Sequence, residues 1–276
     1  MAVGELFDWP ESIEPGLPWM SEFLTTPAGT PMWDDLTPGQ QTALTRYEAI
    51  SLFSLGVHGS RVFVSAAVMR VHERPYADVS ELLHRFIGEE NEHLRVLAEF
   101  CLRHGGKLYP APPSPNADHL GRLSPAAREA IVFARVLILQ EVVDHHHAYM
   151  AADPSLPHAV REIHRVLHRD KSRHIDFGRT LVRTLLGRVA DRDRDELPLL
   201  AASLEDHLGH TVGTLYNPAA YRDAGIPDGP ALRRRAMEHP ARLEVHDQML
   251  HRTRTFLRAA GVGRDPAPAP RRVRTW

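Results

Sequence analysis

The sequence predicts an all-α protein in which four long helices form a bundle, with an N-terminal arm before it and a helical C-terminal cap after it. Apolar residues recur at helical spacing over long stretches of the chain. Helix start and stop residues bound four of these stretches. No segment shows the strict polar–apolar alternation of a half-buried strand, and no Gly-rich phosphate-binding loop is present. The 276 residues are enough to bury a substantial core.

The segment before the bundle, residues 1–36, is rich in Pro, Trp and Thr and shows no sustained period. We expect an extended arm whose tryptophans pack onto the body: Trp9, Trp19 and Trp33. Residues 37–262 are expected to form one helical domain. Residues 263–276, which include the Pro-Arg-rich sequence DPAPAPRRVRTW, are expected to be a disordered tail.

Proline, serine and glycine signals bound the long helices. Pro38 and Pro125 are placed for a first helical turn, and Pro75 and Pro154 cannot continue a helix. The predicted long helices cover residues 37–74, 78–104, 124–152 and 157–186. The shorter helices of the cap are predicted at residues 195–213, 218–224, 230–237 and 240–260. A kink is expected near Gly56 and Gly59 in the first helix.

Composition excludes several classes of function. The formal net charge is −2, and Lys and Arg are scattered along the chain, so we expect neither a nucleic-acid nor a membrane partner. The single Cys101 excludes an internal disulfide and a Cys-rich metal site. The first residues have no basic and apolar signal regions, and no uncharged apolar run reaches membrane-spanning length, so a cytoplasmic location is expected.

Each long helix contributes a metal-ligand candidate: Glu48, then Glu90 and His93, then Glu141, and last Lys171 and His174. Residues three apart share a helix face, so a Glu-x-x-His pair can place a carboxylate and an imidazole on one ion. Two helices with Glu and two with Glu-x-x-His are the pattern of ferritin-like di-iron bundles. Carboxylate and imidazole ligands suit iron or manganese. The sequence therefore predicts a ferritin-like four-helix bundle with a non-haem iron site of one or two ions.

Three stretches carry a family resemblance: FIGEENEHLRVLAEF in the second helix, EVVDHHHAYMAADPSLPHAVREIHRVLHRDKSRHIDFGRTLV in the third and fourth, and the region from YNPAAYRDAG onwards. The chain resembles the para-aminobenzoate N-oxygenase family of non-haem di-iron oxygenases over residues 40–262, most specifically over 161–178. The resemblance implies oxidation of a small amine or related metabolite with O₂, often in natural-product biosynthesis. It also implies an external electron donor and a homodimer. The implied metal ligands are Glu48, Glu90, His93, Glu141 and His174.

The fourth helix departs from the family pattern. Lys171 stands where the family has a Glu ligand, and Leu167 stands where it has a further His. Three carboxylates and one ammonium balance a single divalent ion. Our hypothesis is therefore one metal, or a weakly held second one, with Lys171 directed inward as the second cation. A deprotonated Lys171 would instead serve catalysis as a ligand or as a proton donor to bound oxygen.

Two nearby residues are alternatives for the lost ligand. Asp170 precedes His174 by four residues, and His145 follows Glu141 by four, so each shares a face with a candidate ligand. Consecutive side chains point about 100° apart, so at most one of the histidines at 145–147 can face the site. A solvated or capping role is expected for His146 and His147.

The leading hypothesis is an O₂-using oxygenase whose small-molecule pocket lies among apolar residues of the first three helices: Phe53, Val57, Phe86, Leu97 and Leu137. The alternative is a degenerate family member that binds one metal or none and has a binding or non-oxygenase role. Iron storage and a haem-oxygenase-like oxidase are further alternatives. The helix order and the C-terminal resemblance favour the ferritin-like oxygenase.

Overall fold

A computed structural model describes residues 13–113 and 121–263, and these residues form an all-α bundle, as predicted. The bundle helices are α2 (Pro38–Val68), α3 (Ser80–Phe100), α4 (Pro125–Ala152) and α5 (His158–Arg192). A short α1 (Pro31–Asp34) precedes them. The cap consists of α6 (Leu197–Leu215), α7 (Pro218–Asp223), α8 (Gly229–Glu238) and α9 (Pro240–Ala259). Within the described residues no strand is present.

Side-chain caps fix where α2 and α4 begin. The Thr37 hydroxyl accepts from the Gln40 backbone N–H, and the Gln40 side chain accepts from the Thr37 N–H, which completes a capping box. Ser124 caps α4 in the same way through the Ala127 N–H, with a proline at the next position. Both caps satisfy backbone donors that a helix start leaves without partners.

The helices pack as two pairs, α2 with α3 and α4 with α5, and the pairs enclose the core. The cap helices α6 and α9 pack on α4, and α7 packs on α2. Two glycines allow close approach along α2, because a Cβ on Gly56 would lie 2.9 Å from Leu97 Cδ1 and one on Gly59 would lie 2.7 Å from Leu139 Cδ2. α2 runs through both glycines without interruption, and the kink expected there stays a prediction.

The predicted helix ends differ from the observed ones by several residues. The first predicted helix ends at Val68 rather than near residue 74, where a 3₁₀ segment, Arg74–Val79, connects it to α3. The end of the second predicted helix is a π-helical turn, Cys101–Gly105, closed by Gly106 with φ 70°. The fourth helix continues through Gly187 to Arg192.

The N-terminal segment contains a 3₁₀ turn, Glu22–Leu24, and buries Trp19 and Trp33 as expected. Trp9 lies outside the described residues, as do residues 264–276 of the predicted tail. By length and composition alone, α2 is long and apolar enough to cross a membrane, although Arg46, Glu48 and Arg61 interrupt its apolar run. Its most apolar window is 61% buried inside the bundle, which is typical of a core helix.

Candidate metal centre

Glu90, on the inner face of α3, is the centre of a polar cluster in the bundle interior. Its side chain has no solvent exposure. Its Oε1 accepts from Lys171 Nζ at 2.5 Å and lies 2.7 Å from His174 Nδ1, both on α5. Its Oε2 accepts from the Ser60 hydroxyl on α2 at 2.5 Å, and Gln140 Nε2 on α4 lies 3.4 Å from Oε1. All four long helices therefore meet at one carboxylate.

Charge at this carboxylate is set by burial and by its neighbours. Burial raises the pKa of Glu90, but the Lys171 ammonium and the nearby His174 and His93 outweigh burial and hold the pKa well below its usual range. Glu90 is therefore ionised in the interior. Its ion pair with Lys171 places two opposite full charges in the bundle interior, where the Glu90 side chain is fully buried and the Lys171 side chain is 7% exposed.

The two histidines of the cluster each lie between Glu90 and a second carboxylate. His93 Nδ1 is 3.8 Å from Glu90 Oε1, and its Nε2 is 3.4 Å from Asp170 Oδ2. His174 Nδ1 is 2.7 Å from Glu90 Oε1, and its Nε2 is 2.7 Å from Glu89 Oε2. A carboxylate behind each imidazole is the usual arrangement for a metal-binding histidine, because it orients the ring and makes the inner nitrogen more basic.

Helix phase explains why these residues converge. α3 and α5 have one apolar and one charged face, so Glu90 and His93, three residues apart, share the buried face of α3. Lys171 and His174 share the buried face of α5 in the same way. Phe86, a predicted pocket residue, lies one turn before Glu90 with its ring 4.3 Å from that of His174. Phe86 therefore shields the cluster from one end.

Glu48 is buried but belongs to a different part of the molecule, so the structure does not bring this predicted ligand to the cluster. It accepts hydrogen bonds from the backbone N–H and the hydroxyl of Thr26, and Thr26 Oγ1 also contacts Tyr221 Oη at 2.7 Å. The α2 residue that contacts Glu90 is Ser60. Ser60 lies twelve positions after Glu48, which corresponds to about 18 Å along the helix axis. Burial raises the pKa of Glu48 to about 7, against the opposing effects of Thr26 and Arg242.

Glu141 points away from Glu90, so the predicted ligand from α4 is also displaced. Its carboxylate accepts from Arg179 Nε at 2.7 Å on α5 and from the Thr253 hydroxyl on α9. The preceding residue, Gln140, faces Glu90 instead. Consecutive residues on a helix point about 100° apart. The amide of Gln140 therefore faces the interior, and the carboxylate of Glu141 does not.

Of the two alternative ligands, Asp170 contacts the cluster and His145 does not. Asp170 contacts His93 and also pairs with Arg169 Nε at 3.1 Å and Arg173 Nη2 at 3.2 Å. It therefore lies behind a histidine of the cluster. His145 lies outside the cluster, in a groove of α4, α5 and α9, with its ring 4.9 Å from that of Tyr149.

His146 and His147 are buried, so the expectation that they are solvated or capping is wrong. His146 Nδ1 contacts the Val142 carbonyl at 2.9 Å. His147 Nδ1 lies 2.7 Å from His164 Nδ1, so one ring donates and the other accepts. Burial lowers the pKa values of His147 and His164, that of His164 to about 3, so this pair is neutral.

Sequence reasoning missed three residues that contact the cluster: Ser60, Glu89 and Gln140. Glu89 adjoins Glu90, and the pair could have been read as one ligand and one supporting carboxylate. Gln140 adjoins the predicted Glu141. The surrounding stretch is apolar on every side, so the sequence does not indicate which of these two residues faces the interior. Ser60 is an ordinary helix residue, and nothing in the sequence marks it.

The described residues fit one metal ion and do not fit two. Ligand atoms of Glu90, His93 and His174 all lie within 4.8 Å of one another. His93 Nδ1 is buried without a hydrogen-bond partner among the described residues, which leaves its lone pair available to a cation. A second divalent ion would meet the Lys171 ammonium, and Glu48 and Glu141 supply no further carboxylate there. Ligation by these residues stays a prediction.

Comparison with protein families gives a match over nearly the whole chain. The family model described as P-aminobenzoate N-oxygenase AurF matches residues 5–261, nearly the whole chain, and confirms the resemblance. No curated protein matches the sequence at a significant level. The all-α ferritin-like fold and the buried Glu/His/His cluster agree with a family of di-iron enzymes. The chain belongs to the p-aminobenzoate N-oxygenase AurF family.

Proposed function

We propose that the chain is an O₂-activating non-haem oxygenase that holds one iron ion at Glu90, His93 and His174 and oxidises a small amine or related metabolite. The observation that carries this proposal is the buried group of two histidines and one carboxylate. This donor set is typical of non-haem Fe(II) oxygenases and leaves coordination positions open. Glu89 and Asp170 behind the two imidazoles support metal binding rather than a purely structural cluster.

Bound iron would supply the one-electron and O₂ chemistry that side chains lack. In an N-oxygenation, one oxygen atom passes to the amine nitrogen and the other leaves as water, with two electrons from an external donor. The protein's own part is to exclude water and to supply protons. Lys171 Nζ carries protons beside Glu90 and is the group we assign to proton delivery. We expect this reaction in the cytoplasm, within a biosynthetic pathway.

Lys171 also explains why one ion is proposed where the family has two. Together with Glu89 and Asp170 behind the two histidines, Glu90 brings three negative charges to the site and Lys171 brings one positive charge, which balances a single divalent ion. An additional divalent ion there would put uncompensated positive charge in a buried site, which is costly. Manganese is compatible with the same donor atoms.

A second candidate is a family member without oxygen chemistry, and one observation favours it. Both oxygens of Glu90 already have hydrogen-bond donors from Lys171, His174 and Ser60. A carboxylate so fully paired is stable without a metal. In that case Lys171 replaces the metal in the interior and the bundle has a binding role.

Metal content per chain separates the two candidates. The full-length protein is loaded with Fe(II) without air and desalted, and iron is measured by elemental analysis. We expect one iron in the wild type and none in His93→Ala or His174→Ala. We expect close to two in the double variant Lys171→Glu, Gln140→Glu, because two carboxylates then join Glu90. Lys107→Gln is the control, since Lys107 is the chain's other lysine and pairs with Asp223 away from the cluster.

The outcomes are distinct. No iron in the wild type supports the metal-free candidate. Two irons in the wild type contradict the single-ion site. With one iron present, activity is tested as reductant-dependent O₂ consumption with p-aminobenzoate, the amine in the family's description. Iron binding without oxygenation of any amine tested would leave the chain a metal-binding protein and refute the oxygenase.

A further inference from the structure

A cavity of about 310 Å³ lies outside the metal centre, between α2, α4 and α6. Its wall is mainly apolar and includes Leu55, Val62, Val136 and Leu139. Ligand pockets start at about this volume, so the cavity suits a metabolite rather than a large molecule.

The cavity is separated from Glu90 by a tight contact. Leu139 lies directly over Gly59, where a Cβ would come within 2.7 Å of Leu139 Cδ2. The next residue on each helix, Ser60 and Gln140, contacts Glu90 on the other side. An occupant of the cavity would therefore not touch the metal centre.

Arg135 is the only Arg, Lys, Asp or Glu among the described residues of the cavity wall. Its Nη2 donates to the Ser203 hydroxyl at 3.1 Å, while its Nε is buried without a hydrogen-bond partner among the described residues. Burial lowers the pKa of Arg135, and no carboxylate among the described residues offsets this effect. A partly desolvated guanidinium without an acidic partner is unusual, because guanidinium groups bind carboxylates in pairs of hydrogen bonds.

Two histidines beside Arg135 complete the polar end of the wall. The rings of His207 and His210 stack, with centroids 6.0 Å apart. Burial, together with Arg135 and His210, lowers the pKa of His207 to about 4, so His207 is neutral at pH 7. Burial also lowers the pKa of His210, so Arg135 is the full positive charge at this end of the described wall. One positive charge matches a monoanion better than a phosphate dianion.

We propose that this cavity binds a small molecule with an apolar body and one carboxylate, and that Arg135 pairs with the carboxylate. The apolar wall takes the body of the ligand. Binding at this cavity does not require iron, so this proposal can be tested separately from the oxygenase proposal.

Binding is measured by saturation-transfer NMR and calorimetry on the full-length protein as purified. The probes are benzoate and octanoate, each compared with its neutral amide, benzamide and octanamide. We expect both carboxylates to bind at least tenfold more tightly than their amides. Arg135→Gln should weaken carboxylate binding at least tenfold, while Arg128→Gln, an exposed arginine two turns earlier on α4, should leave it unchanged.

Two further readouts keep the test decisive. Val62→Trp fills the cavity from its exposed side and should abolish binding of both probes. Arg135→Gln should fold normally, because removing an unpaired, partly buried charge costs no ion pair; urea unfolding checks this. Equal binding of acids and amides, no binding of either acid, or binding that survives Arg135→Gln would each overturn the proposal. The last result would also follow if the acids bound at the Glu90 centre.

Discussion

Lysine rather than arginine at position 171 has a physical reason. Of the 33 basic residues only two are lysines, so the chain uses arginine almost everywhere else. An ammonium is a compact charge that fits beside one carboxylate oxygen, whereas a guanidinium is a wide planar fork. The space next to Glu90 is shared with His174 and Gln140, which favours the smaller group.

At the same scale, Glu48 predicts a dependence of stability on pH. Its pKa is about 7 in the folded state, raised first by burial, against 4.5 for an ordinary Glu. Between these values the unfolded chain loses this proton and the folded chain keeps it, so the free energy of unfolding falls as pH rises from about 4.5 to 7. The slope from this group is at most about 1.4 kcal/mol per pH unit.

Glu48→Gln should remove that fall, because the amide cannot ionise and can still accept from Thr26. Urea unfolding at pH 4.5 and pH 8 checks this. The variant should match the wild type at pH 4.5 and exceed its stability at pH 8. Glu244→Gln, an exposed carboxyl, is the control and should show no such difference. A wild-type advantage at pH 8 would contradict the prediction.

Among the elements, α2 and α3 are in close contact at Gly56. A Cβ there would lie 2.9 Å from Leu97 Cδ1, and Leu97 is itself buried, so it has little room to move. Gly187, in the exposed part of α5, has open space where a Cβ would be. The same substitution therefore has opposite consequences in the two helices.

Gly187→Ala should stabilise the protein by about 0.5–1 kcal/mol through helix propensity alone. Gly56→Ala should destabilise it by about 1–2 kcal/mol, since overpacking outweighs that gain. Chemical denaturation measures both. Combining Gly56→Ala with Leu97→Ala should cost less than the sum of the single changes, because the collision is relieved. Additive costs would show that the helices do not meet at Gly56 as described.

For the whole molecule, Arg242 of α9 joins the N-terminal segment to the cap. Its Nη1 donates to the carbonyls of Phe23 at 2.9 Å and Ala28 at 3.3 Å, and its Nε donates to Tyr216 Oη at 3.3 Å. The side chain is 4% exposed, so these bonds are shielded from water. One residue thus holds three distant parts of the chain together.

Arg242→Met should lower the free energy of unfolding by about 2 kcal/mol, because one buried and one part-buried carbonyl lose their donor. It should also speed proteolysis within residues 13–30, which limited digestion and mass spectrometry detect. Arg234→Met, an exposed arginine of α8, is the matched control. Unchanged digestion of the N-terminal segment would show that Arg242 does not hold it.

The sequence by itself determined the all-α class, the starts of the long helices, the family, and the residues of α3 and α5 that meet inside. Those two helices are amphipathic, so Glu90, His93, Lys171 and His174 could be assigned to the buried face from the pattern alone.

Only the tertiary structure decided the contributions of α2 and α4. Both helices are apolar on nearly every side, so their pattern does not reveal which face meets Glu90. Packing sets that rotation, and it turns Gln140 inward and Glu141 toward Arg179 and Thr253. It also places Ser60 rather than Glu48 at the centre, because position along a buried helix depends on how the neighbouring helices dock.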